Sequence, residues 1–228
     1  MAQHFLVVVT GLLAEARVAR PTPGRSIAAG GDIRRLEGEL GRALSDGAGA
    51  VLSFGLAAGL QPGRTPGTLV IPAEVIGASR RYATDVPWSE RLRAALGGAE
   101  AQPLAGVDSP LIRAADKLHL HSVTGAVAAD MESHVAACLA HRAGRPFAVL
   151  RVISDPAERE LPPAALIGMR TDGHVDLAAV IGSVAREPGQ LPALLRVATD
   201  ARAAIKVLAR CRRVLGPELG WECPNPVS

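Results

Sequence analysis

Two short acidic segments have the residue types and positions needed for acid–base chemistry. Asp130, Met131 and Glu132 follow the small-residue run GAVAA, and Ser154 and Asp155 end the apolar run PFAVLRVI. Carboxyl groups serve as general acids, as general bases and as partners for developing positive charge. Asp130 can equally be an N-cap for a following helix, and Asp155 can be a turn residue. The case for chemistry therefore depends on whether the fold brings the two segments together.

The elements around these segments favour such a meeting. Residues 125–129 and 146–154 are predicted strands, and residues 131–142 are a predicted helix between them. A helical crossover places its two strands side by side, and ligands bind outside the carboxyl ends of such strands. Arg151 lies four residues before Asp155 on one strand, so the two side chains share a face. We expect Arg151 at the floor of the pocket, with a structural ion pair as the alternative.

The rest of the chain repeats strand, turn and helix. Strands are predicted at 5–10, 26–29, 50–54, 68–76 and 102–107, and helices at 12–17, 33–45 (after Asp32 as N-cap), 88–96 and 109–118. Residues after 161 are predicted to be mostly helical, with breaks at Gly173, Pro188 and Pro192, and 219–228 to form an irregular tail. This order predicts one domain over 1–228 with an α/β fold: three layers, α/β/α, around a mixed, largely parallel sheet.

Composition excludes several classes of function. The net charge of the 228 residues is only +3, and the basic residues are scattered, so no nucleic-acid partner is expected. Three cysteines without a CxxC pair predict a reducing cytoplasm and no metal site. No apolar stretch approaches the ~20 residues of a membrane span. We expect a cytoplasmic protein without a transmembrane segment; peripheral attachment to the inner membrane stays open.

The stretch AADMESHVAACLAHRAGRPFAVLRVISD resembles the signature of the nucleoside phosphorylase superfamily, in its methylthioadenosine/S-adenosylhomocysteine nucleosidase branch. That branch has Glu-Met-Glu at a strand end, a helix, and then Arg-x-Ile-Ser-Asp. The stretches TGLLAEA and VLSFGLAAGLQPGRTPGTLVIPAEVI resemble the family's first loop and its glycine-rich loop. The resemblance implies a nucleoside phosphorylase-like fold and cleavage of the N-glycosidic bond of an adenosine-type nucleoside.

The resemblance also implies roles for individual residues. Asp155 matches the general acid that protonates the departing purine, and such an acid needs a pKa raised by burial. Glu132 matches the carboxylate that binds the ribose hydroxyls and stabilises the developing cation. Met131 matches the residue that packs on the ribose, and Ser154, Arg151 and Gly55 complete the expected substrate contacts.

The nucleophile is less well defined, because this chain departs from the family pattern. The first loop, which begins at Gly11, has a single carboxylate, Glu15, and Ala16 stands where the hydrolytic enzymes have their water-activating base. Leu56 replaces a serine of the glycine-rich loop. Inorganic phosphate as co-substrate is the alternative to water, held at Gly30 and Gly31 ahead of a helix and neutralised by Arg34 or Arg35. No other cofactor is expected.

The short N-terminal part and the Arg- and Ala-rich character are similar to the hopanoid-associated phosphorylase subfamily. That likeness implies adenine release from adenosylhopane in hopanoid biosynthesis, a lipid-linked substrate, and an apolar rim beside the pocket. Hydrolysis of methylthioadenosine or S-adenosylhomocysteine is the alternative reaction, and a catalytically inactive nucleoside-binding protein is the alternative of another class. The superfamily implies a homo-oligomer.

Overall fold

The computed structural model describes residues 4–167, 174 and 176–222. Its strands are β1 (Phe5–Thr10), β2 (Gly24–Ala28), β3 (Ala48–Gly59), β4 (Leu69–Val70), β5 (Glu74–Ile76), β6 (Arg81–Ala83), β7 (Leu104–Gly106), β8 (Ala128–Asp130) and β9 (Phe147–Asp155). Its helices are α1 (Leu13–Ala19), α2 (Ile33–Ser45), α3 (Val86–Leu96), α4 (Ala114–Thr124), α5 (Ser133–Arg142), α6 (Pro163–Ile167), α7 (Leu177–Arg186) and α8 (Leu191–Leu215), the last preceded by a 3₁₀ turn, Pro188–Gln190.

Successive side chains of the central strands point to opposite faces of the sheet, and helices cover both faces, which produces the three layers. On β1, Val7 and Val9 pack into a core shared with α2 and α5. Leu6 and Val8 point the other way, into a core shared with α1, α3 and α8. Successive strand residues face opposite sides of a sheet, so a strand that is apolar at every position must be covered on both faces. The predicted α/β architecture, with helices on both faces of a mixed sheet, is confirmed.

The sheet is mixed, with its strands ordered β2-β1-β3-β8-β7-β5-β6 and β9 attached to β3 and β4. Pairs β1–β2, β1–β3, β3–β9, β5–β7 and β7–β8 are parallel, whereas β3–β8, β4–β9 and β5–β6 are antiparallel. The expectation that β8 and β9 lie side by side is wrong. Each pairs instead with β3, from opposite sides, because β3 is long enough to reach both.

Three other local predictions need correction. β3 continues to Gly59, through residues predicted to form a loop, because β8 and β9 pair with its last residues. The predicted strand 68–76 is two strands, since Pro72 has no N–H for a ladder and the chain changes partners there. The predicted helix 109–118 begins only at Ala114, so the segment that contains Pro110 is not helical.

The last part of the chain is helical where the structure describes it. Pro192 lies in the first turn of α8, where a missing N–H costs nothing, rather than breaking a helix. The predicted break at Gly173 and the tail residues 223–228 lie outside the described residues. Trp221 is buried in the core, and the indole N–H of Trp88 donates to the carbonyl of Leu219 at 3.1 Å. Among the described residues, no helix combines the length and apolarity that crossing a bilayer requires.

Candidate active site

A cavity of about 270 Å³ lies beside the last residues of β1, β8 and β9 and the distal half of β3. This volume is near the lower end of the roughly 300–1,000 Å³ found for small-molecule sites. Its polar lining includes the side chains of both acidic segments, together with a buried glutamate and arginine. The lining residues that matter below are Gly11, Leu12, Glu15, Gly30, Gly31, Leu56, Val107, Pro110, Leu111, Asp130, Met131, Glu132, Arg151, Ser154, Asp155, Leu161, Ala165 and Val197.

The two acidic segments reach this cavity from opposite sides of β3. Ala58 is in register with Ala129 of β8 on one side and with Asp155 of β9 on the other. The pairing of β3 with β9 shifts at this point, as in a β-bulge. Neighbouring residues of a regular strand face opposite sides, so the shift explains how Ser154 and Asp155 can both line the cavity.

Arg151 is a fully buried cation at the floor of the cavity. Its Nε lies 2.6 Å from Oδ2 of Asp130, and its Nη2 lies 3.4 Å from Oε2 of Glu132. The guanidinium also donates to Oγ of Ser53 at 2.7 Å and to the carbonyl of Leu56 at 3.1 Å. The sequence left two alternatives for Arg151, a place at the floor of the pocket or a structural ion pair. The structure shows both.

Asp130 connects this cation to helix α5. The helix begins at Ser133, not at Met131, and Oδ1 of Asp130 accepts the Ser133 N–H at 3.0 Å. Oδ2 of Asp130 accepts the Ser133 hydroxyl, which in turn lies 2.8 Å from the Ser53 hydroxyl. Every polar partner in this network is buried, so Asp130 and Ser53 hold Arg151 in one orientation.

Glu132 occupies the N-cap position of α5 but makes no capping bond, so its carboxylate is available to the cavity. Burial raises its pKa to about 7, with Asp130 and Glu15 adding to the rise and Arg151 opposing it. A carboxyl group with such a pKa changes charge in the range where enzymes work. Gly11 contributes by being small, because a Cβ there would lie 3.1 Å from Oε1 of Glu132.

Glu15 is a second buried carboxylate near Arg151, 2% exposed in the first turn of α1. Its Oε2 accepts the backbone N–H groups of Gly11 and Leu12 at 2.8 Å, and its Oε1 accepts that of Leu56 at 2.8 Å. Burial raises its pKa, while Arg151 and these N–H groups oppose the rise. Gly55 was predicted to contact the substrate, but it does not line the cavity. It makes room for this contact, because a Cβ there would lie 2.7 Å from the Glu15 carboxyl and 2.8 Å from Nη1 of Arg151.

The diglycine segment that was predicted to hold a phosphate, Gly30 and Gly31, borders the cavity, but Arg34, one of the two arginines predicted to neutralise that phosphate, does not. Gly30 and Gly31 line the cavity, and Met131 packs so close that a Cβ on Gly31 would lie 2.8 Å from its terminal methyl. The Gly30 N–H already donates to the carbonyl of Gly11 at 2.8 Å. Arg34 is exposed and does not line the cavity, contrary to the prediction, because the first turn of α2 turns its side chain to solvent.

Asp155 has a partner that sequence reasoning missed, Lys117 of α4. The Lys117 ammonium donates to Oδ2 of Asp155, and it is fully buried. Oδ1 of Asp155 is buried too and has no hydrogen-bond partner among the described residues. Burial raises the pKa of Asp155, and the ion pair with Lys117 opposes the rise. The one available signal was composition, since Lys117 and Lys206 are the only lysines in a chain that otherwise uses arginine.

Apolar side chains on loops and on α8, which carry no motif, form one wall of the cavity. Val107, Leu111, Leu161 and Val197 line it and are half-buried. The Leu161 N–H donates to the carbonyl of Ile112 at 3.0 Å, which ties two of the contributing segments together. We call Val107, Pro110, Leu111, Leu161, Ala165 and Val197 the apolar wall.

The solved structures to which this chain is similar include several nucleosidases. The chain is similar to a Helicobacter pylori 5′-methylthioadenosine nucleosidase, an aspartate-to-asparagine variant with 5′-methylthioadenosine in its active site (13% identity, 91% of this chain and 97% of that chain, TM-score 0.64). It is similar to the S-adenosylhomocysteine nucleosidase of Streptococcus pyogenes with 5-methylthiotubericidin (13%, 92% and 96%, 0.65). It is also similar to the Neisseria meningitidis 5′-methylthioadenosine/S-adenosylhomocysteine nucleosidase with methylthio-immucillin-A (15%, 91% and 97%, 0.63). At such identities the likeness shows the fold.

Comparison with curated proteins finds no matching sequence. The family model described as the phosphorylase superfamily matches residues 39–186, about two thirds of the chain. The matched range contains both acidic segments and Arg151, whereas Glu15 and the diglycine segment precede it. With the fold, the shared cavity and this match in agreement, the chain belongs to the phosphorylase superfamily.

Proposed function

We propose that this protein releases adenine from a 5′-substituted adenosine by cleaving its N-glycosidic bond. The observation that carries the proposal is the single cavity lined by Glu132 and Asp155, two carboxyl groups whose pKa values are both raised. Cleavage of a glycosidic bond passes through a cation-like sugar and needs an acid for the leaving group. Two carboxyl groups in different environments can divide those tasks.

In this mechanism Asp155 gives its proton to a ring nitrogen of the purine. The C1′–N9 bond breaks, and its electron pair leaves with the base. Glu132, in the ionised form that it takes above its pKa of about 7, lies beside Arg151, accepts hydrogen bonds from the ribose hydroxyls and stabilises the positive sugar. Met131 packs against the sugar. The ligands named for the similar nucleosidases include 5′-methylthioadenosine itself, which supports an adenosine with a 5′ substituent as the substrate class.

The charges around the cavity favour water over phosphate as the nucleophile. Glu15, Asp130 and Glu132 face one cation, Arg151, so an incoming phosphate meets more negative than positive charge. Arg34 is turned to solvent, and the Gly30 N–H is already bonded. Glu15 is the carboxylate that can accept the proton of the attacking water, because burial raises its pKa.

The apolar wall supports a large, apolar 5′ substituent, and we propose an adenosylhopane-type lipid as the natural one. Half-exposed apolar side chains beside a polar site mark where a ligand adds its own apolar surface. Each methylene buried there contributes about 0.8 kcal/mol. The substrate would then be an adenosine linked to a lipid rather than a free, fully polar nucleoside.

The test is adenine release from adenosine, methylthioadenosine, S-adenosylhomocysteine and adenosylhopane, each with and without phosphate. We expect the highest kcat/KM with adenosylhopane. The sugar product should be the 5-substituted ribose with a free anomeric hydroxyl (ribose itself from adenosine) rather than the corresponding 1-phosphate. Release that requires phosphate would overturn the choice of water. Tight binding of these nucleosides without any release of adenine would overturn the enzymatic function and favour a nucleoside-binding protein.

A further inference from the structure

Helix α4 is largely exposed, and the one side chain it buries is the charged Lys117. Lysine is almost never fully buried without a partner, because removing its charge from water is costly. The four-carbon stem spans from α4 to the loop that follows β9. A helix with such an anchor is unusual, because an apolar residue at that position would bury the same surface without this cost.

The ammonium of Lys117 has three N–H donors, and the structure supplies three acceptors. They are Oδ2 of Asp155, the carbonyl of Arg159 at 2.8 Å and the carbonyl of Pro156 at 3.3 Å. A neutral amine could not donate to all three, so this arrangement fits the charged form. The bond to Asp155 leaves the other carboxyl oxygen, Oδ1, as the one without a protein partner.

We infer that Lys117 is a positioning residue for the reaction: it fixes Oδ2 of Asp155, leaves Oδ1 for the purine, and stabilises the carboxylate that remains after proton transfer. The inference rests on the proposed function. The proposed acid role requires Asp155 to carry its proton before the step, so that Lys117 then donates to a carboxylic acid. When the proton has moved to the purine and the C1′–N9 electron pair has left with the base, Asp155 is negative and Lys117 faces an opposite charge. The interaction between Lys117 and Asp155 is therefore stronger after proton transfer than before it. An interaction that strengthens as the reaction proceeds lowers the barrier to cleavage of the C1′–N9 bond.

The other charged groups near Asp155 come from two further segments and act on its pKa in opposite directions. Arg159, in the loop after β9, lowers the pKa of Asp155, and Asp200 of α8 raises it. These two form an ion pair with each other. Burial is the largest influence on the Asp155 pKa and raises it, and Lys117 is the largest influence that lowers it. Removing the positive charge at 117 is therefore expected to raise the pKa of Asp155 further.

The test compares Lys117→Met with Lys206→Met, which changes the only other lysine, an exposed one on the outer helix α8. The pKa of Asp155 is read from its ¹³C carboxyl resonance, assigned with Asp155→Asn. We expect Lys117→Met to raise that pKa by about one to three, as for loss of an adjacent opposite charge. The alkaline limb of kcat/KM should move in the same direction, while the plateau rate falls at least about tenfold. Lys206→Met should match the wild type.

A purely structural anchor would lower stability without moving either the carboxyl titration or the pH profile, and that result would overturn the role of Lys117. A wild type that releases no adenine from any nucleoside would overturn the proposed function and this role together, so the two failures are distinct. If Lys117→Met does not fold, ¹⁵N-lysine labelling of the wild type replaces it. The Nζ resonance of Lys117 must shift with the midpoint of the Asp155 carboxyl, and an Nζ resonance indifferent to that titration would overturn the inference.

Discussion

At the residue scale, the site depends on carboxyl groups that burial keeps from ionising freely. Glu15 and Glu132 are buried beside one guanidinium, and Asp155 is buried beside one ammonium. Burial is the largest influence on each of these carboxyl groups and outweighs the neighbouring cation, so the pKa values of all three rise. The cavity thereby holds carboxyl groups that bind a proton more tightly than exposed carboxyl groups do.

Glu132 should make the stability of the ligand-free protein depend on pH. Its pKa is about 7 in the folded protein against an ordinary 4.5, so the folded state keeps a proton that the unfolded state releases between those values. The stabilisation is complete below pH 4.5 and is lost as pH rises through about 7, an effect on the order of 3 kcal/mol. Glu132→Gln should therefore unfold at higher urea than the wild type at pH 8 and at a similar urea concentration at pH 4.5.

The matched control is Glu37→Gln, at an exposed position of α2. It should leave the difference in unfolding free energy between the two pH values unchanged. A Glu132→Gln variant with the same pH dependence as the wild type would contradict the buried, proton-holding state of Glu132. The same variant should lose adenine release at pH 8, where Glu132 of the wild type is ionised, because an amide cannot stabilise a positive sugar as a carboxylate does.

At the element scale, local pattern predicted most of the elements, and long-range pairing decided the rest. The apolar strands β1 and β9 and the helix after Asp32 agree with their sequence patterns because propensity, caps and burial favour the same structure there. The end of β3 was missed because its small residues favour a loop locally, while its two partner strands come from distant parts of the chain. Lys117 was missed for a related reason, since no spacing rule connects α4 to the end of β9.

The close packing of β3 against the buried charges gives a prediction for Gly55. Gly55→Ala would place a methyl group 2.7 Å from the Glu15 carboxyl and 2.8 Å from Nη1 of Arg151, so those groups must move. We expect adenine release to fall at least about a hundredfold, since misplacement by about 1 Å has effects of that size. Gly38→Ala on α2 is the control, because a Cβ there meets nothing within 4 Å. It should keep full activity and gain about 1 kcal/mol in helix stability. Normal activity of Gly55→Ala would contradict the close contact.

At the scale of the whole molecule, the cavity joins a charged floor to the apolar wall. The floor is built on the sheet, where β1, β3, β8 and β9 converge, and the wall comes from the connecting segments, α6 and α8. Rigid strands therefore hold the groups that do chemistry, and more variable segments contact the part of the ligand that differs between substrates. The membership of the superfamily could be predicted from the floor residues, whereas the wall has no pattern that sequence alone would show.

Substrates of increasing 5′ chain length should measure the apolar wall directly. With 5′-alkylthioadenosines from methyl to hexyl, kcat/KM should rise by roughly two- to fourfold per methylene until the wall is covered. Val197→Ser should flatten that rise while leaving adenosine itself unaffected. Val214→Ser, on the same helix and outside this cavity, is the control and should behave as the wild type. A chain-length dependence identical in both variants would contradict the placement of the 5′ group against α8.

The central claim is that Asp155 supplies the proton that lets the purine leave. It is tested most directly by single-turnover adenine release from methylthioadenosine by the wild type, by Asp155→Asn and by the exposed control Asp46→Asn. Asp155→Asn should bind the nucleoside, unfold cooperatively, and release adenine about 10²–10⁴-fold more slowly, as loss of a general acid predicts. Asp46→Asn should match the wild type. Release by Asp155→Asn at a rate near that of the wild type would contradict the account.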